Sequence, residues 1–409
     1  MKVLYFHQHF STPAGSAGTR SYEFARRLVA AGHDVTMVCG SYATGDTGLS
    51  GPFVKGRREG VVDGIHVLEL ALAYSNDTAF LRRAMVFLSF ARRTIGIALA
   101  RDYDLVFATS TPLTAGIPGI AARWLRGKKF VFEVRDLWPE LPRAMGVIRN
   151  PLVLGAMSIL ERATYRSAHT CIGLAPGITE GIIAAGTPVE RVATIPNGCD
   201  LELFGEGTEP HEEVPGVEPD DFVAAYTGTH GKANGLDAVL DAAHVLKARG
   251  RRDVKLLLIG EGMEKARLMA RAERDGLDTC VFLDRVPKTR LAEIMGRVDV
   301  GMQILDDVPA FYYGTSPNKF FDYLAQGKPV LVNYPGWVAN LVKQWGCGWA
   351  VPPGDPQAFA ERLIQLADDR DEARRAGRNA RDLAREEFSR DELAGRFVKV
   401  LERTAARRT

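Results

Sequence analysis

The sequence predicts two α/β domains in tandem, each built on a mainly parallel sheet. A length of 409 residues suits two or three domains. A strand, glycine loop, helix, strand pattern opens the chain and begins again after residue 220. Residues 201–220 between the two patterns are rich in Gly, Pro and acidic residues without periodicity, as in a linker. We therefore expect a first domain over 1–200, a second over 221–385, and a C-terminal helix over 386–409 that packs back on the first.

The composition indicates a soluble protein of a reducing compartment. Apolar residues make up 46% of the chain and charged residues 25%. The five cysteines are scattered and lack CxxC spacing, which favours neither a disulfide framework nor a zinc site. The opening MKVLYFHQHF lacks a signal-peptide core, and no apolar run approaches the roughly 20 residues of a membrane span. We expect a cytoplasmic location.

Charge is unevenly distributed along the chain. By count, residues 1–200 carry a net +6 and the remainder −4, so the first half favours an anionic partner or a membrane surface. The segment Phe80–Arg101 places five arginines among many apolar residues. This pattern is typical of a helix on an anionic membrane, and equally of a buried helix with a solvated basic edge. Peripheral association with the inner face of the cell membrane is therefore one expectation.

The first domain opens with a βαβ unit. Lys2–Phe6 and Val35–Cys39 are predicted strands, and the helix Arg20–Ala31 lies between them. The loop before this helix contains Gly15 and Gly18, and ligands of such sheets bind beyond the carboxyl ends of the strands. The loop is not GxGxxG, so a dinucleotide site is weakly supported. The other predicted elements are a mobile loop at Gly45–Gly64, strands at Val67–Leu72, Asp104–Thr109, Phe130–Arg135, Thr170–Leu174 and Val192–Ile195, and helices at Phe80–Arg101 and Leu152–Ala168.

Polar side chains follow two of these strands. His7 and His9 come directly after the first strand, where they either line an acceptor site or are structural histidines. Arg135 and Asp136 stand at the end of another strand, a position where α/β proteins place chemistry, although a local ion pair gives the same pattern.

The second domain repeats this organisation. Strands are predicted at Phe222–Tyr226, Lys255–Ile259, Val281–Leu283 and Val298–Ile304, with a helix at Leu236–Ala248. Right-handed crossovers and a mainly parallel sheet follow from this order. Phe359–Ala406 is predicted to be helical with a solvated charged face.

The stretch GTSPNKFFDYLAQGKP, Gly314–Pro329, is the strongest candidate site. Pro317 suits a helix start and Gly327 its end, and Val330–Val332 reads as the next strand. Free N–H groups at such a start suit an anion, and a lysine in the first turn is disfavoured by the helix dipole unless an anion lies beside it. We assign Phe320, Phe321 and Leu324 to the apolar face, Asp322 and Tyr323 to the polar face, and Lys319 to an anionic ligand.

The sequence resembles the retaining glycosyltransferases of family 4, particularly bacterial transferases of surface-polysaccharide assembly of the N-acetyl-fucosamine type. The resemblance spans nearly the whole chain through the stretches "YFHQHFSTPAGSAGTRSYEFARRLVAAGHDVTMV", "RDLWPE", "IPNGCD", "YTGTHGKANGLD", "LLLIGEG", "FLDRVP" and "SPNKFFDYLAQGKPVLVN". It implies the GT-B fold, α/β with two Rossmann-like parallel-sheet domains facing across a cleft.

The resemblance also implies roles for individual residues. The family's glutamate pair, eight residues apart, falls on Gly314 and Asp322, so Asp322 would grip the ribose and the donor-sugar carboxylate is missing. The family's Arg and Lys in the first loop of the second domain fall on Thr229 and Asn234 and are also missing, so Lys319 and either Arg20 or Lys232 would carry more of the diphosphate. The nucleotide-sugar site would thus contain Gly15, Ser16, Gly18, Arg20, Gly231, Lys232, Glu261, Arg285, Val286, Thr315, Ser316, Pro317, Asn318, Lys319 and Asp322.

The implied reaction moves a hexose from a nucleotide diphosphate, UDP first among the candidates, to a polyprenyl-diphosphate-linked or glycan acceptor. Lys319, Asp136 and Arg135 are the expected catalytic residues, and His7, His9 and Glu140 the acceptor contacts. Asp306 and Asp307 do not form a convincing DxD pair, so we expect no metal, no cofactor and no nucleic-acid partner. A nucleotide-sugar epimerase of the same architecture and an inactive sugar-nucleotide-binding partner protein remain as alternatives.

Overall fold

The protein divides into two units in a computed structural model that describes residues 1–15, 17–74, 80–204 and 213–407, apart from the side chains of residues 80 and 81. Unit 1 comprises Met1–Asn197, Gly314–Ser316 and Asp391–Thr409, and unit 2 comprises Gly198–Tyr313 and Pro317–Arg390. The described part of the predicted linker 201–220 belongs to unit 2, and residues 205–212 lie outside the described residues.

Unit 1 is built on an eight-stranded sheet in the order β3-β4-β2-β1-β5-β6-β7-β8. Its strands are β1 Lys2–Phe6, β2 Asp34–Tyr42, β3 Arg57–Val62, β4 Ile65–Tyr74, β5 Leu105–Thr109, β6 Lys129–Val134, β7 Thr170–Gly173 and β8 Val192–Thr194. Its helices up to this point are α1 Arg20–Ala30, α2 Phe80–Ala100, α3 Ile117–Arg126, α4 Glu140–Ala144, α5 Pro151–Ser167 and α6 Pro176–Ala184, with short 3-10 turns at Leu113–Gly116 and Val189–Arg191.

The first sheet is parallel except for one strand. β3 pairs antiparallel with β4, and every other described neighbour pair of this sheet is parallel. The central strands β1 and β5 are almost fully buried, as expected where helices cover both faces of a parallel sheet. The prediction of a loop over all of Gly45–Gly64 is wrong in its second half, because β3 occupies Arg57–Val62 there.

Unit 2 is built on a six-stranded sheet in the order β11-β10-β9-β12-β13-β14, in which all described pairs are parallel. Its strands are β9 Phe222–Thr227, β10 Val254–Ile259, β11 Cys280–Leu283, β12 Val300–Gln303, β13 Val330–Val332 and β14 Gly348–Ala350. Its helices are α7 Asp237–Ala248, α8 Lys265–Arg274, α9 Lys288–Met295, α10 Pro309–Tyr313, α11 Asn318–Ala325, α12 Trp337–Trp345, α13 Pro356–Asp368 and α14 Arg370–Glu386, with a 3-10 turn at Lys232–Asn234.

The last helix, α15 (Arg390–Ala406), returns the chain to unit 1. Its Phe397 is fully buried, with its ring centroid 4.6 Å from that of Phe24 in α1 and 4.8 Å from that of Phe107 in β5. Aromatic contacts of this kind bury large apolar areas. Both units are therefore α/β with parallel sheets, as the sequence predicts.

Candidate functional site

Helix α11 begins as the sequence predicts, because Pro317 is extended and the helix starts at Asn318. Phe320, Phe321 and Leu324 are buried, which fixes the helix on the sheet of unit 2. In its first turn the Phe320 N–H donates to the Pro317 carbonyl at 3.1 Å, and the N–H groups of Asn318 and Lys319 are left without a partner in the described chain. The assignment of Tyr323 to the polar face is wrong. Tyr323 is buried, and its hydroxyl accepts the backbone N–H of Thr227 at 2.9 Å.

Lys319 lies in the first turn of α11, in a setting that disfavours its charge. Its Nζ donates to the Tyr226 hydroxyl at 3.0 Å and lies 3.5 Å from the amide oxygen of Asn234. It also lies 4.3 Å from the Tyr226 ring centroid, so the ring face supplies part of its stabilisation. Burial lowers the pKa of Lys319 to about 7. Among the described residues no carboxylate forms an ion pair with it, so an anionic ligand would find this charge uncommitted.

Two glycines make room for Lys319. A Cβ on Gly228, which has φ +139°, would lie 3.0 Å from Lys319 Cε. A Cβ on Gly260 would lie 1.9 Å from the Gly228 carbonyl oxygen, closer than any real contact. The glycines after β9 and β10 thus let the loop Thr227–Gly235 lie directly beside the start of α11.

Asp322 lies one turn further along α11, and its carboxylate is paired. Lys288, the first residue of α9, places its Nζ 3.2 Å from Oδ1 and 3.4 Å from Oδ2 of Asp322. Lys288 Nζ also lies 5.6 Å from the ring centroid of Phe204. The sequence reading missed Lys288, although it follows the quoted FLDRVP stretch directly. A hydroxyl pair on Asp322 would therefore share the carboxylate with Lys288.

The loops after β10 and β11 contain Glu261, Arg285 and Val286. Glu261 accepts from Lys265 Nζ at 2.9 Å, and the same Nζ donates to Asp284 at 2.5 Å. Because β10 and β11 are neighbours, these loops meet at one edge of the sheet, beside the Gly231 and Lys232 turn. Lys232 itself is exposed.

His230 is a further candidate that the sequence reading missed. Its side chain is fully buried, and neither ring nitrogen has a hydrogen-bond partner. Burial lowers its pKa to about 4, so the ring is neutral at pH 7. Its backbone N–H donates to the Glu261 carbonyl at 2.8 Å, which joins the first two loops of unit 2.

In unit 1, Arg20 is part of the structure of the sheet. Its Nε and Nη2 donate to one oxygen of Glu133 at 3.0 and 2.8 Å, and Nη1 and Nη2 donate to the carbonyls of Pro196 and Ile195 at 2.5 and 2.8 Å. Its side chain is only 6% exposed and that of Glu133 is fully buried. The sequence analysis expected Arg20 to contact the diphosphate. We withdraw that assignment, because all three guanidinium nitrogens donate hydrogen bonds to groups of unit 1.

Arg135 and Asp136 follow β6, where the sequence places them. The Arg135 side chain donates to Thr109 Oγ1 at 2.9 Å and to Ser21 Oγ at 3.1 Å. Asp136 accepts from Thr111 Oγ1 at 3.2 Å. Burial raises the pKa of Asp136, and the Thr111 hydrogen bond opposes that shift. A carboxylate with a raised pKa is a better proton acceptor than an ordinary surface aspartate.

The segment after β1 holds polar side chains without partners. His7 is buried and its Nδ1 has no hydrogen-bond partner, and the same is true of both amide atoms of the buried Gln8. His9 stacks on Tyr74, with ring centroids 4.6 Å apart, and its Nε2 is likewise unpaired. Burial lowers the pKa of His7 well below its usual range and that of His9 to about 4, so both rings are neutral. Buried polar atoms without partners indicate ligand or water positions.

The remaining predicted residues fall as follows. A Cβ on Gly15 would lie 2.3 Å from Ser11 Oγ, so only glycine fits there. Ser16 lies outside the described residues, while Gly18 and Glu140 are exposed. The backbone and side-chain N–H groups of Asn197 donate to Ser316 Oγ at 3.0 Å and to its carbonyl at 2.6 Å, and the buried hydroxyl of Thr315 has no partner.

Within the described ranges, no group of three or more His, Cys, Asp or Glu residues is arranged to hold a metal ion.

The chain matches family models over most of its length. Residues 15–198 match a family described as "Glycosyl transferase 4-like domain", and residues 208–383 match "Glycosyl transferases group 1". A curated relative, the probable glycosyltransferase WbjE of Pseudomonas aeruginosa, is 23% identical over 306 residues, covering 72% of this chain and 74% of that protein.

Solved structures share the two-unit architecture. Sucrose-phosphate synthase from Thermosynechococcus elongatus aligns with a TM-score of 0.75 at 19% identity, covering 98% of both chains. HepE of Anabaena in complex with UDP aligns with a TM-score of 0.68 at 18% identity, covering 98% of this chain and all of that one. At this level of identity the likeness concerns the fold.

Proposed function

The chain belongs to the GT-B glycosyltransferases, and from this premise we propose that it transfers a hexose from a UDP-linked donor to a lipid-linked or glycan acceptor, with retention of configuration. The observation that carries the proposal is Lys319. A half-buried lysine at a helix start, with a lowered pKa and no carboxylate partner in the described chain, is suited to a departing diphosphate. The glycosyltransferase matches favour transfer over the epimerase and inactive-partner alternatives.

Charge stabilisation is the proposed source of catalysis. As the glycosidic bond breaks, negative charge gathers on the diphosphate, and Lys319 together with the first N–H groups of α11 would stabilise it there. These groups are fixed before the reaction, so little reorganisation is needed. Retention requires attack on the face from which the diphosphate leaves. There the departing phosphate oxygen can take the proton of the attacking hydroxyl, so the step needs little help from a protein base. No metal is required in this scheme.

The acceptor end of the reaction is assigned to unit 1. Asp136 would orient the attacking hydroxyl and Arg135 would position it, while the unpaired atoms of His7 and His9 would accept or donate hydrogen bonds to the acceptor. Other relatives carry names from polysaccharide biosynthesis: the putative colanic acid biosynthesis glycosyltransferase WcaL of Salmonella typhimurium and the capsular polysaccharide biosynthesis glycosyltransferase CapM of Staphylococcus aureus. These names support an acceptor of cell-envelope polysaccharide synthesis.

UDP is the proposed nucleotide because HepE, a structural neighbour, binds UDP. We expect UDP to raise the melting temperature more than GDP, dTDP or ADP at equal concentration, because a ligand that binds only the native state stabilises it by mass action. A thermal-shift series with the four diphosphates measures this directly. A larger shift with any of the other three would overturn the choice of UDP.

Asp322→Ala should weaken UDP binding by at least about tenfold, because a hydrogen bond to a charged group contributes about 1.5–3 kcal/mol. Calorimetry with UDP and with UDP lacking the ribose hydroxyls tests the assignment. The wild type should lose affinity for the deoxy compound, whereas Asp322→Ala should bind the two equally.

Asp382→Ala is the matched control for this experiment, since Asp382 is an exposed aspartate on α14. It should bind both nucleotides as the wild type does. If Asp322→Ala still prefers the intact ribose by the wild-type factor, Asp322 does not contact these hydroxyls.

A further inference from the structure

Three helices of unit 1 pack side by side. Helix α3 packs against both α2 and α5, and the Trp124 indole N–H donates to Ser167 Oγ at 2.8 Å, which ties α3 to α5. We call the outward surface of α2, α3 and the segment 143–167 the three-helix face. It shares no residue with the proposed nucleotide site.

Large apolar side chains are exposed across this face. On α5, Leu152 is 81% and Ile159 71% exposed, and on α3, Trp124 is 65% and Leu125 70% exposed. So many large apolar side chains exposed on neighbouring helices are unusual on a monomer and mark an interaction site. The further exposed apolar residues of the face are Met85, Leu88, Leu99, Val147 and Val153.

The same face is strongly basic. The segments 80–101, 117–129 and 143–167 together contain thirteen Lys and Arg residues and a single acidic residue, Glu161. Burial raises the pKa of Glu161 to about 7, so even this carboxyl is partly neutral at pH 7. Some of the basic residues hydrogen-bond within the protein, as Arg126 does to the carbonyls of Ala98 and Arg101. The arginines exposed on the face are Arg82, Arg92, Arg143, Arg149, Arg162 and Arg166.

We propose that the three-helix face docks on the surface of an anionic lipid bilayer, with its apolar side chains at the headgroup boundary and its arginines on lipid phosphates. The apolar side chains of such a surface match the acyl-chain boundary of a bilayer, and its basic side chains match the negative charge of the lipid headgroups. A second copy of the chain fits less well, because it would bring the same positive charge against this face. Exposed tryptophan also suits the boundary between headgroups and acyl chains.

A protein docked in this way lies on the membrane surface and does not cross the bilayer. In the part of the chain that the structure describes, no helix is long and apolar enough to span a bilayer. The inference deepens the proposed function, because a lipid-linked acceptor would be met at this surface. Its test nevertheless needs neither donor nor acceptor.

The charge component is tested by sedimentation of the full chain with phosphatidylcholine vesicles that contain or lack phosphatidylglycerol. We expect the wild type to bind the anionic vesicles at least about tenfold more tightly than the neutral ones, and added salt to weaken that binding. The double variant Arg149→Glu with Arg162→Glu should lose at least about tenfold of the binding to anionic vesicles. The matched control is Arg374→Glu with Arg378→Glu on α14 of unit 2, which changes the net charge equally and should bind as the wild type does.

The apolar component is tested by Leu152→Ser with Ile159→Ser. This pair should bind anionic vesicles at least about tenfold more weakly, whereas Met263→Ser with Met269→Ser, two exposed methionines of unit 2, should not. Trp124 provides an independent signal, since its fluorescence should shift to the blue on anionic vesicles and the shift should be absent in Trp124→Phe.

Several results would overturn the inference. The first three are a failure to bind vesicles, equal binding to neutral and anionic vesicles, and an equal loss of vesicle binding in the unit 2 control variants. The fourth is a stable dimer in solution that dissociates in the variant Leu152→Ser with Ile159→Ser. The last would make the face a contact between copies. Thermal stabilisation of the same variants by UDP distinguishes the two proposals. If the protein does not bind vesicles but UDP still stabilises it, only the membrane-docking proposal is rejected.

Discussion

Lys319→Ala is expected to reduce turnover at least about a hundredfold while the protein remains folded. Removal of one preorganised donor aimed at developing negative charge costs about 10²–10³ in rate in enzymes that stabilise an anion this way. Folding should survive, because among the described residues Lys319 Nζ hydrogen-bonds only to the Tyr226 hydroxyl and the Asn234 amide oxygen, and its charge is disfavoured where it lies. Transfer or hydrolysis of a UDP-sugar under steady-state conditions measures the effect.

Lys343→Ala is the matched control for this experiment, since Lys343 is an exposed lysine of α12 in the same unit. It should leave turnover unchanged. Near-normal kinetics in a folded Lys319→Ala protein would remove Lys319 from the mechanism, and an equal loss in Lys343→Ala would show that the effect is not specific to the site.

The lowered pKa of Lys319 gives a second measurement of the same role. In the free protein its pKa is about 7, so at pH 8 most molecules hold the neutral amine. A bound diphosphate favours the charged form and raises the pKa, so UDP binding at pH 8 should take up nearly one proton. Calorimetry in two buffers of different ionisation enthalpy counts that proton. Lys319→Ala should abolish the uptake, and unchanged uptake in this variant would assign the proton to another group.

The helix at the candidate site could be predicted from local sequence patterns. The partners of its side chains could not, because they are remote in sequence. Pro317 and Gly327 mark the two ends of α11 in the sequence, and both do so in the structure. The polar assignment of Tyr323 was wrong because its hydroxyl is satisfied inside the core by the backbone of Thr227, nearly a hundred residues away in sequence. The partner of Asp322, Lys288, is likewise remote in sequence and begins another helix.

The same limit explains Arg20 and the missed strand β3. An arginine at a helix start next to a glycine loop has the sequence signature of a phosphate ligand, and only the fold brings Glu133 to it. Strand β3, RREGVV, is the edge strand of its sheet, and its residues alternate between exposed and half-buried. It therefore has few of the apolar residues that identify a buried strand. In both cases the prediction needed tertiary contacts that the sequence alone does not reveal.

Glu133→Ala is expected to destabilise unit 1 by about 3–5 kcal/mol, the usual cost of removing one partner of a buried ion pair. Glu133 is fully buried, accepts from Arg20 and from Thr109 Oγ1 at 2.7 Å, and lies 3.5 Å from Arg135. The variant leaves the charge of Arg20 buried without its counter-ion. Amide hydrogen exchange measures this in unit 1 itself: protection of β5 and β6 should fall by that amount, whereas protection of β9 and β10 should stay unchanged.

The pH dependence of the same variant identifies the charge as the cause. Burial alone would raise the pKa of Glu133, but its interactions with Arg20 and Arg135 outweigh burial and lower it. A carboxyl whose pKa is lower in the folded than in the unfolded state stabilises the fold at neutral pH, and this contribution disappears as the pH falls through the folded-state pKa. The destabilisation caused by Glu133→Ala should therefore be largest at neutral pH and shrink in acid.

The control for this prediction is Glu180→Ala, an exposed glutamate on α6, which should change stability by less than about 0.5 kcal/mol at any pH. The paired replacement Arg20→Met with Glu133→Leu should recover part of the loss, because it removes both charges and fills the volume with apolar atoms. It still leaves the carbonyls of Ile195 and Pro196 without their donor, so recovery should be incomplete. A Glu133→Ala protein as stable as the wild type, or one whose loss is independent of pH, would show that this pair does not hold the sheet of unit 1 together.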